Sequence, residues 1–366
     1  MIALVIGVAV SLFVALIGTP FFIKLLKRKH FGQFIRKDGP ESHYVKRGTP
    51  TMGGVMIIVA TLSGWIVASF VMFISVGRLP HASSVLVLGL MVSLGALGFL
   101  DDYAKVSNQR SLGLSPVAKI VGQGAIGIIF AALSLLFPNS GGLTPASLNI
   151  QIFKNFNINL ALFGTVFGVV LFIIWVNFLV TAWSNAVNLA DGLDGLASGM
   201  SLVSFASYTL LCLWMSSQNC ALGKNPNHCY VVRDPWDLAL VAALIAAACV
   251  GFLWWNTSPA QIFMGDTGSL ALGGAFAGIS ILSGTEILAV LIGGVFVLEV
   301  LSDIIQIGSY KLRKKRVFKM APIHHHFEFL GWSEVTIVTR FWILQGALAV
   351  IAISLFYGDW VIGFGV

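Results

Sequence analysis

Asp101-Asp102-Tyr103-Ala104-Lys105 sets two adjacent carboxylates and a lysine at the end of a long apolar run, and only 15 acidic side chains occur in the 366 residues. Three further stretches carry similar chemistry. Asn185-Ala186-Val187-Asn188-Leu189-Ala190-Asp191-Gly192-Leu193-Asp194-Gly195 places Asn188, Asp191 and Asp194 at spacings of three, with glycines that permit turns and close approach to a ligand. Asn256 to Ser269 contains Phe263-Met264-Gly265-Asp266-Thr267-Gly268, a glycine-flanked acid ahead of an apolar run. Ala321-Pro322-Ile323-His324-His325-His326-Phe327-Glu328 adds three consecutive histidines. Five carboxylates in three connections, with Lys105, Lys119 and the histidines nearby, suit a site that holds phosphates through Mg²⁺, which binds one or two carboxylates plus phosphate oxygens.

Blander readings account for each motif taken singly. Lys105 stands at i+4 and i+3 from Asp101 and Asp102, so the three could simply end a helix with a local ion pair. Adjacent helical residues point about 100° apart, so Asp101 and Asp102 are not expected to chelate one ion squarely and should differ in role. Three consecutive histidines do not converge on one metal without a strained loop, and a zinc site is disfavoured. What favours chemistry is the conjunction of the motifs on one face of the molecule.

The elements that must create that face are set by composition. Hydrophobic residues make up 57% and charged residues 10%, the mean hydropathy is +0.90 and the formal net charge is +7. Soluble domains carry roughly 25% charged residues. The fold class is therefore all-α: a polytopic integral membrane protein, with one membrane-embedded domain over 1–366. Apolar segments close to the roughly 20 residues that span a bilayer fall at about 2–23, 52–76, 84–100, 115–137, 160–182, 196–216, 236–254, 268–284, 286–309 and 336–357. Ten transmembrane helices put both termini on one side. Of the 22 Lys and Arg residues, eight lie in 24–50, three in 101–119 and six in 310–335, which makes that face cytoplasmic and both termini extracytoplasmic. Cytoplasmic loops are expected at about 24–51, 101–114, 183–195, 255–267 and 310–335.

The first apolar run lacks a basic leader and reads as an uncleaved span. The run 286–309 continues without a breaker into a basic stretch, and its Glu299 and Asp303 share one helical face. They could pack against neighbouring helices or line a groove. Cys212, Cys220, Cys229 and Cys249 lack zinc-ligand spacing. Cys220 and Cys229 share an outer loop, where a disulfide and two free thiols are both open.

Asp101 to Lys105, Asn188 to Gly195, Phe263 to Ser269 and Pro322 to His326 together resemble the polyprenyl-phosphate N-acetylhexosamine-1-phosphate transferases. The resemblance runs from about Phe31 to Phe341 and includes Lys46 to Gly54 in the first inner loop, and the histidine loop is similar to that of the muramoyl-peptide branch. It implies transfer of phospho-MurNAc-pentapeptide from UDP-MurNAc-pentapeptide to undecaprenyl phosphate, giving lipid I and UMP, with Mg²⁺ required, at a bacterial plasma membrane. By matching position, Asp266 corresponds to the Mg²⁺ ligand, and Asp101 and Asp102 to the other essential acids. Asn188, Asp191, Gly192, Leu193, Asp194, Asn256 and Phe263 correspond to the nucleotide pocket. Lys105, Lys119, His324, His325 and His326 correspond to groups around the diphosphate and sugar. Family members carry threonine where this chain has Ala190. The resemblance further implies a homodimer among membrane lipid, with no nucleic-acid partner. The rival readings are a sister enzyme using UDP-GlcNAc, a membrane prenyltransferase that holds diphosphate on aspartates, and a transporter, whose charges belong nearer the midplane.

Overall fold

Each apolar segment becomes helical because no water inside a bilayer can satisfy the backbone, so every N–H must bond within its own helix. The computed structural model describes residues 1–29, 31–32, 48–108, 113–153, 156–223 and 229–362. Most of the basic connection 24–50 lies outside them. The long helices are α1 (Ile2–Arg28), α2 (Gly54–Val76), α3 (Ala82–Ser107), α4 (Pro116–Ser134), α5 (Thr165–Ala190), α6 (Leu196–Ser217), α7 (Pro235–Asn256), α8 (Gly265–Ser283) and α12 (Glu334–Ile362). A short α9 (Glu286–Ile292) meets α10 (Gly294–Arg313) at 87°, and α11 (Ile323–Glu328) carries the histidines. The chain is thus a mostly helical, polytopic membrane protein. Eight of the described helices are long and apolar enough to cross a membrane, or nine if the bent α9–α10 pair is one span.

Three sequence expectations change. The run 286–309 does have a breaker, since Gly293 separates α9 from α10, and α10 stops at Arg313 with Lys314 left-handed. A pair of adjacent glycines is where a helix bends most cheaply. The fold is not purely α either: β1 (Asn149–Phe153) and β2 (Phe156–Asn159) pair antiparallel, Ile150 opposite Ile158. The alternating Asn-Ile-Gln-Ile pattern has the strand period of two. Finally, helices run further than the apolar runs do: α3 reaches Ser107, α5 reaches Ala190 and α8 begins at Gly265. Hydrocarbon ends where charge begins, but backbone hydrogen bonds continue as long as the charges find partners.

The molecule is centred on α8, buried from Asp266 to Ser283 and packed between α3 and α5. Its glycines and alanines let neighbouring backbones approach closely, the usual packing of helices in lipid. At the contact with α3 a Cβ on Gly98 would overlap the Asp266 carbonyl. This brings the next turn of α3, with Asp101 and Asp102, against the α8 N-terminus. On α4, the Ser115 hydroxyl accepts the Ala118 N–H and Pro116 opens the helix. One turn past Lys119, buried Gln123 donates to Ser184 and accepts from Asn185, tying α4 to α5.

Two features lie at the opposite end of α3 from Asp101. A disulfide joins Cys220 to Cys229, Cα atoms 4.8 Å apart, settling the open question of their state, while Cys212 and Cys249 are buried free thiols. Between α2 and α3, His81 Nδ1 lies 2.7 Å from Asp237 and Arg78 Nη2 lies 2.9 Å from the same carboxylate. The hydrogen bond to Asp237 raises the His81 pKa above its ordinary 6.5. His81 therefore stabilises the fold fully below about pH 6.5, where the unfolded chain is also protonated, and that contribution disappears as pH rises through the raised folded value. Thermal unfolding in detergent should show a stability gap between wild type and His81→Gln that narrows on going to alkaline pH. The gap is small, because the ring is half exposed.

Candidate active site

Four helix ends supply the site. Asp101, Asp102 and Lys105 occupy the last two turns of α3, Lys119 the first turns of α4, Asn188 the last turn of α5 and Asp266 the first turn of α8. The three carboxylates are buried, and each offers an oxygen within 4.8 Å of the others. Lys105 Nζ lies 2.7 Å from Asp101 Oδ2, 3.1 Å from Asp266 Oδ1 and 3.6 Å from Asp102 Oδ1. Lys119 Nζ lies 2.5 Å from Asp266 Oδ2 and 3.1 Å from Asp101 Oδ2. Asn188 Nδ2 donates to Asp266 Oδ1 at 3.0 Å and to Ser269 Oγ at 2.8 Å. Such burial is tolerable only because every acid has a cationic neighbour.

The two adjacent acids do different work, as their helical angle requires. Asp102 accepts the N–H of Asp266 (3.1 Å), the N–H of Thr267 (3.0 Å) and the Thr267 hydroxyl (2.7 Å). It caps α8 from another helix, satisfying donors that a helix start leaves unpaired. Asp101 instead accepts the Leu114 N–H on Oδ1 at 2.7 Å. Its buried Oδ2 has lysine ammoniums close by, yet neither in hydrogen-bond geometry. Three carboxylates against two ammoniums leave the cluster with one negative charge in excess. An acid-rich cage with an under-used carboxylate oxygen fits a divalent cation such as Mg²⁺, with Asp266 and Asp101 facing the shared space.

The Asn188 to Gly195 stretch closes one side. Asp191 follows the end of α5; its carboxyl is pushed up to about 8, by desolvation first and by the charges of Asp266 and Asp102 next. Gly192 is exposed and Leu193 buried. Asp194 and Asn256 are turned inward: Asp194 Oδ2 accepts the Ala260 N–H at 3.0 Å, and Asn256 accepts from Ser198 and donates to the Ile262 carbonyl. Glu334 of α12, absent from the sequence reading, accepts the Asp194 N–H at 2.7 Å. Half-buried Phe263 pairs through its backbone with the segment after the basic loop: its N–H donates to Pro50, its carbonyl accepts from Gly53, and Met264 accepts from Gly54.

The histidines point to three different partners, which excludes a shared metal. His324 Nδ1 faces Glu299 of α10 at 3.0 Å, His325 Nδ1 faces Glu328 at 2.6 Å, and His326 Nδ1 accepts the Lys319 N–H at 3.1 Å. His324 touches the Asn188 to Gly195 stretch, since a Cβ on Gly192 would overlap its Nε2. Next to this loop, Lys311, Arg316, Lys319, Tyr310 and Phe329 line a groove of about 580 Å³.

Glu334, and the individual roles of Thr267, Ser269 and the Pro50 to Gly54 clamp, escaped the sequence reading because each acts through a partner distant in the chain. Thr267 and Ser269 had one available signal, their place beside Asp266.

The helix ends converge on an acid–lysine cluster, and residues 84–284 match the family model described as Glycosyl transferase family 4, which makes the class a membrane-embedded phosphosugar transferase. Residues 46–58, which include the Pro50 to Gly54 clamp, match phospho-N-acetylmuramoyl-pentapeptide-transferase signature 1. Proteins named phospho-N-acetylmuramoyl-pentapeptide-transferase align over nearly the whole chain. The one from Beutenbergia cavernae is 56% identical over 364 residues, covering 99% of this chain and 100% of the relative. That from an Arthrobacter species is 56% identical over 367 residues with the same coverage, and that from Bifidobacterium adolescentis is 51% identical over 361 residues, 99% of each chain. The chain belongs to the phospho-N-acetylmuramoyl-pentapeptide-transferase family.

Proposed function

We propose that this protein transfers phospho-MurNAc-pentapeptide from UDP-MurNAc-pentapeptide to undecaprenyl phosphate, giving lipid I and UMP. The observation that carries the reading is the buried cluster of Asp101, Asp266, Lys105 and Lys119 beside Asn188, placed where long apolar helices end. That position lets a polar nucleotide sugar arrive from water and a lipid phosphate from the bilayer. The charge bias puts this face in the cytoplasm and both termini outside, across ten spans of a bacterial plasma membrane. The same reading has the chain acting as a homodimer.

An oxygen of the lipid phosphate attacks the β-phosphorus of the nucleotide sugar; the bond from that phosphorus to the bridging oxygen breaks, and its electron pair leaves on UMP. When bound by Asp266 and Asp101, Mg²⁺ supplies positive charge to the phosphates, as phosphoryl transfer demands. Lys105 and Lys119, each shared between two or more acids, can turn an ammonium to the diphosphate and offset charge as it moves to the leaving group. Asn188 holds Asp266 in place, and Asp102 holds the helix that carries it. Asp101 serves as base only for residual proton on the lipid phosphate, a small contribution near neutral pH. The Gly192 to Gly195 turn, with Phe263, forms the nucleotide side.

Purified protein given Mg²⁺, undecaprenyl phosphate and either UDP-MurNAc-pentapeptide or UDP-GlcNAc decides the assignment. UMP is expected with the muramoyl substrate alone. Equal release from UDP-GlcNAc, or solute uptake into proteoliposomes without UMP, defeats it.

A further inference from the structure

Glu299 and His324 are both fully buried, and His324 Nδ1 lies 3.0 Å from Glu299 Oε2. Among the described residues neither carboxylate oxygen and neither ring nitrogen has any hydrogen-bond partner, and the His324 ring otherwise packs against that of His325. Burying an acid and an imidazole with a single polar contact between them is unfavourable, and native proteins keep such groups where the contact has a use. At this separation a small rotation of the ring aligns its N–H with the carboxylate.

The opposite ring nitrogen shows what that use is. Nε2 is turned to Gly192, where a Cβ would overlap it, and Gly192 is itself exposed in the Asn188 to Gly195 stretch. Three elements thus form one line: the buried acid on α10, the histidine on α11, and the wall of the pocket between α5 and α6. A carboxylate that accepts one ring N–H fixes both the tautomer and the ring plane, and here it leaves the other nitrogen's lone pair directed at Gly192. Glu299 precedes His324 by 25 residues in the chain and faces it from α10, which turns 87° from α9.

We propose that Glu299 is a positioning residue for the transfer reaction: it accepts the Nδ1 proton of His324 and so presents Nε2 at Gly192 as an acceptor for a hydroxyl or amide N–H of the nucleotide sugar. The proposal rests on the transferase reading for the identity of that ligand, and on the structure alone for the pairing.

Two measurements on the full-length protein test it. In bilayers, ¹⁵N spectra of histidine-labelled protein report the tautomer of each ring without turnover, and His324→Gln identifies the His324 signals. Wild type should show His324 protonated at Nδ1, and Glu299→Leu should lose that preference; unchanged His324 signals in Glu299→Leu overturn the pairing. In UMP release, Glu299→Leu should lower kcat about 10–100-fold, the scale of loss when the carboxylate orienting a metal-bound histidine is removed. Glu299→Gln should recover part of it, because the amide oxygen still accepts an N–H. In a His324→Gln background Glu299→Leu should cost nothing further, whereas losses that multiply show Glu299 acting separately from His324 and overturn the proposal. A wild-type protein that releases no UMP from any UDP-sugar defeats the transferase reading, while the ¹⁵N comparison still decides the pairing.

Discussion

Asp266→Asn should release UMP at least about 100-fold more slowly than wild type, the scale of removing one preorganised electrostatic element from a transition state. The variant should nevertheless fold. Asp266 shares its space with Asp101, Asp102, Lys105 and Lys119, so three buried carboxylates face two ammoniums. Neutralising one acid leaves two charges of each sign, which relieves repulsion, and the asparagine oxygen can still accept from Lys119 or Asn188. The metal-free protein should therefore unfold no earlier than wild type. Titrating Mg²⁺ during thermal unfolding separates this from a folding defect: a cation that binds only the native state raises Tm in proportion to the logarithm of its concentration. Wild type should show that rise and Asp266→Asn should not. Turnover within about tenfold of wild type would remove Asp266 from the transition state.

Asp102→Ala should behave differently, losing stability and activity together. Its carboxylate accepts two backbone N–H groups and the Thr267 hydroxyl at the start of α8, all buried. Leaving those donors without an acceptor should cost about 2–4 kcal/mol, since bonds to a charged acceptor are the stronger kind and a helix start has no internal substitute. The first turn of α8 carries Asp266, so activity falls with the cap. Asp102→Asn keeps an oxygen acceptor and should recover most of the stability lost in Asp102→Ala. Thermal unfolding of Asp102→Ala, Asp102→Asn and Asp101→Asn side by side checks the division of labour; an Asp102→Ala protein as stable as Asp101→Asn removes the capping role.

Much of this was legible in the chain. Apolar runs of spanning length fix helices wherever they occur, because lipid leaves the backbone no other partner, and charges concentrate where those runs end. The motifs around Asp101, Asn188, Asp266 and His324 could be recognised as chemistry because acids and glycines are conspicuous against so apolar a background. Even the unequal roles of Asp101 and Asp102 followed from the turn angle of a helix.

Tertiary structure decided what depends on two distant segments meeting. The break at Gly293 is a local signal, but its consequence, Glu299 facing His324, arises from the direction α10 then takes. Which acid caps and which stays available was set by the close approach of α3 to α8 at Gly98, a contact between residues more than 160 positions apart. Asp194 and Asn256 correspond to pocket residues by the family resemblance, and their polar atoms are engaged by Ala260, Ser198 and Ile262. Sequence determined which residue types stand at the ends of the helices, because that follows from solvation along one chain. Only the packed bundle determined which of them face one another, because hydrogen bonds and ion pairs depend on distance in space.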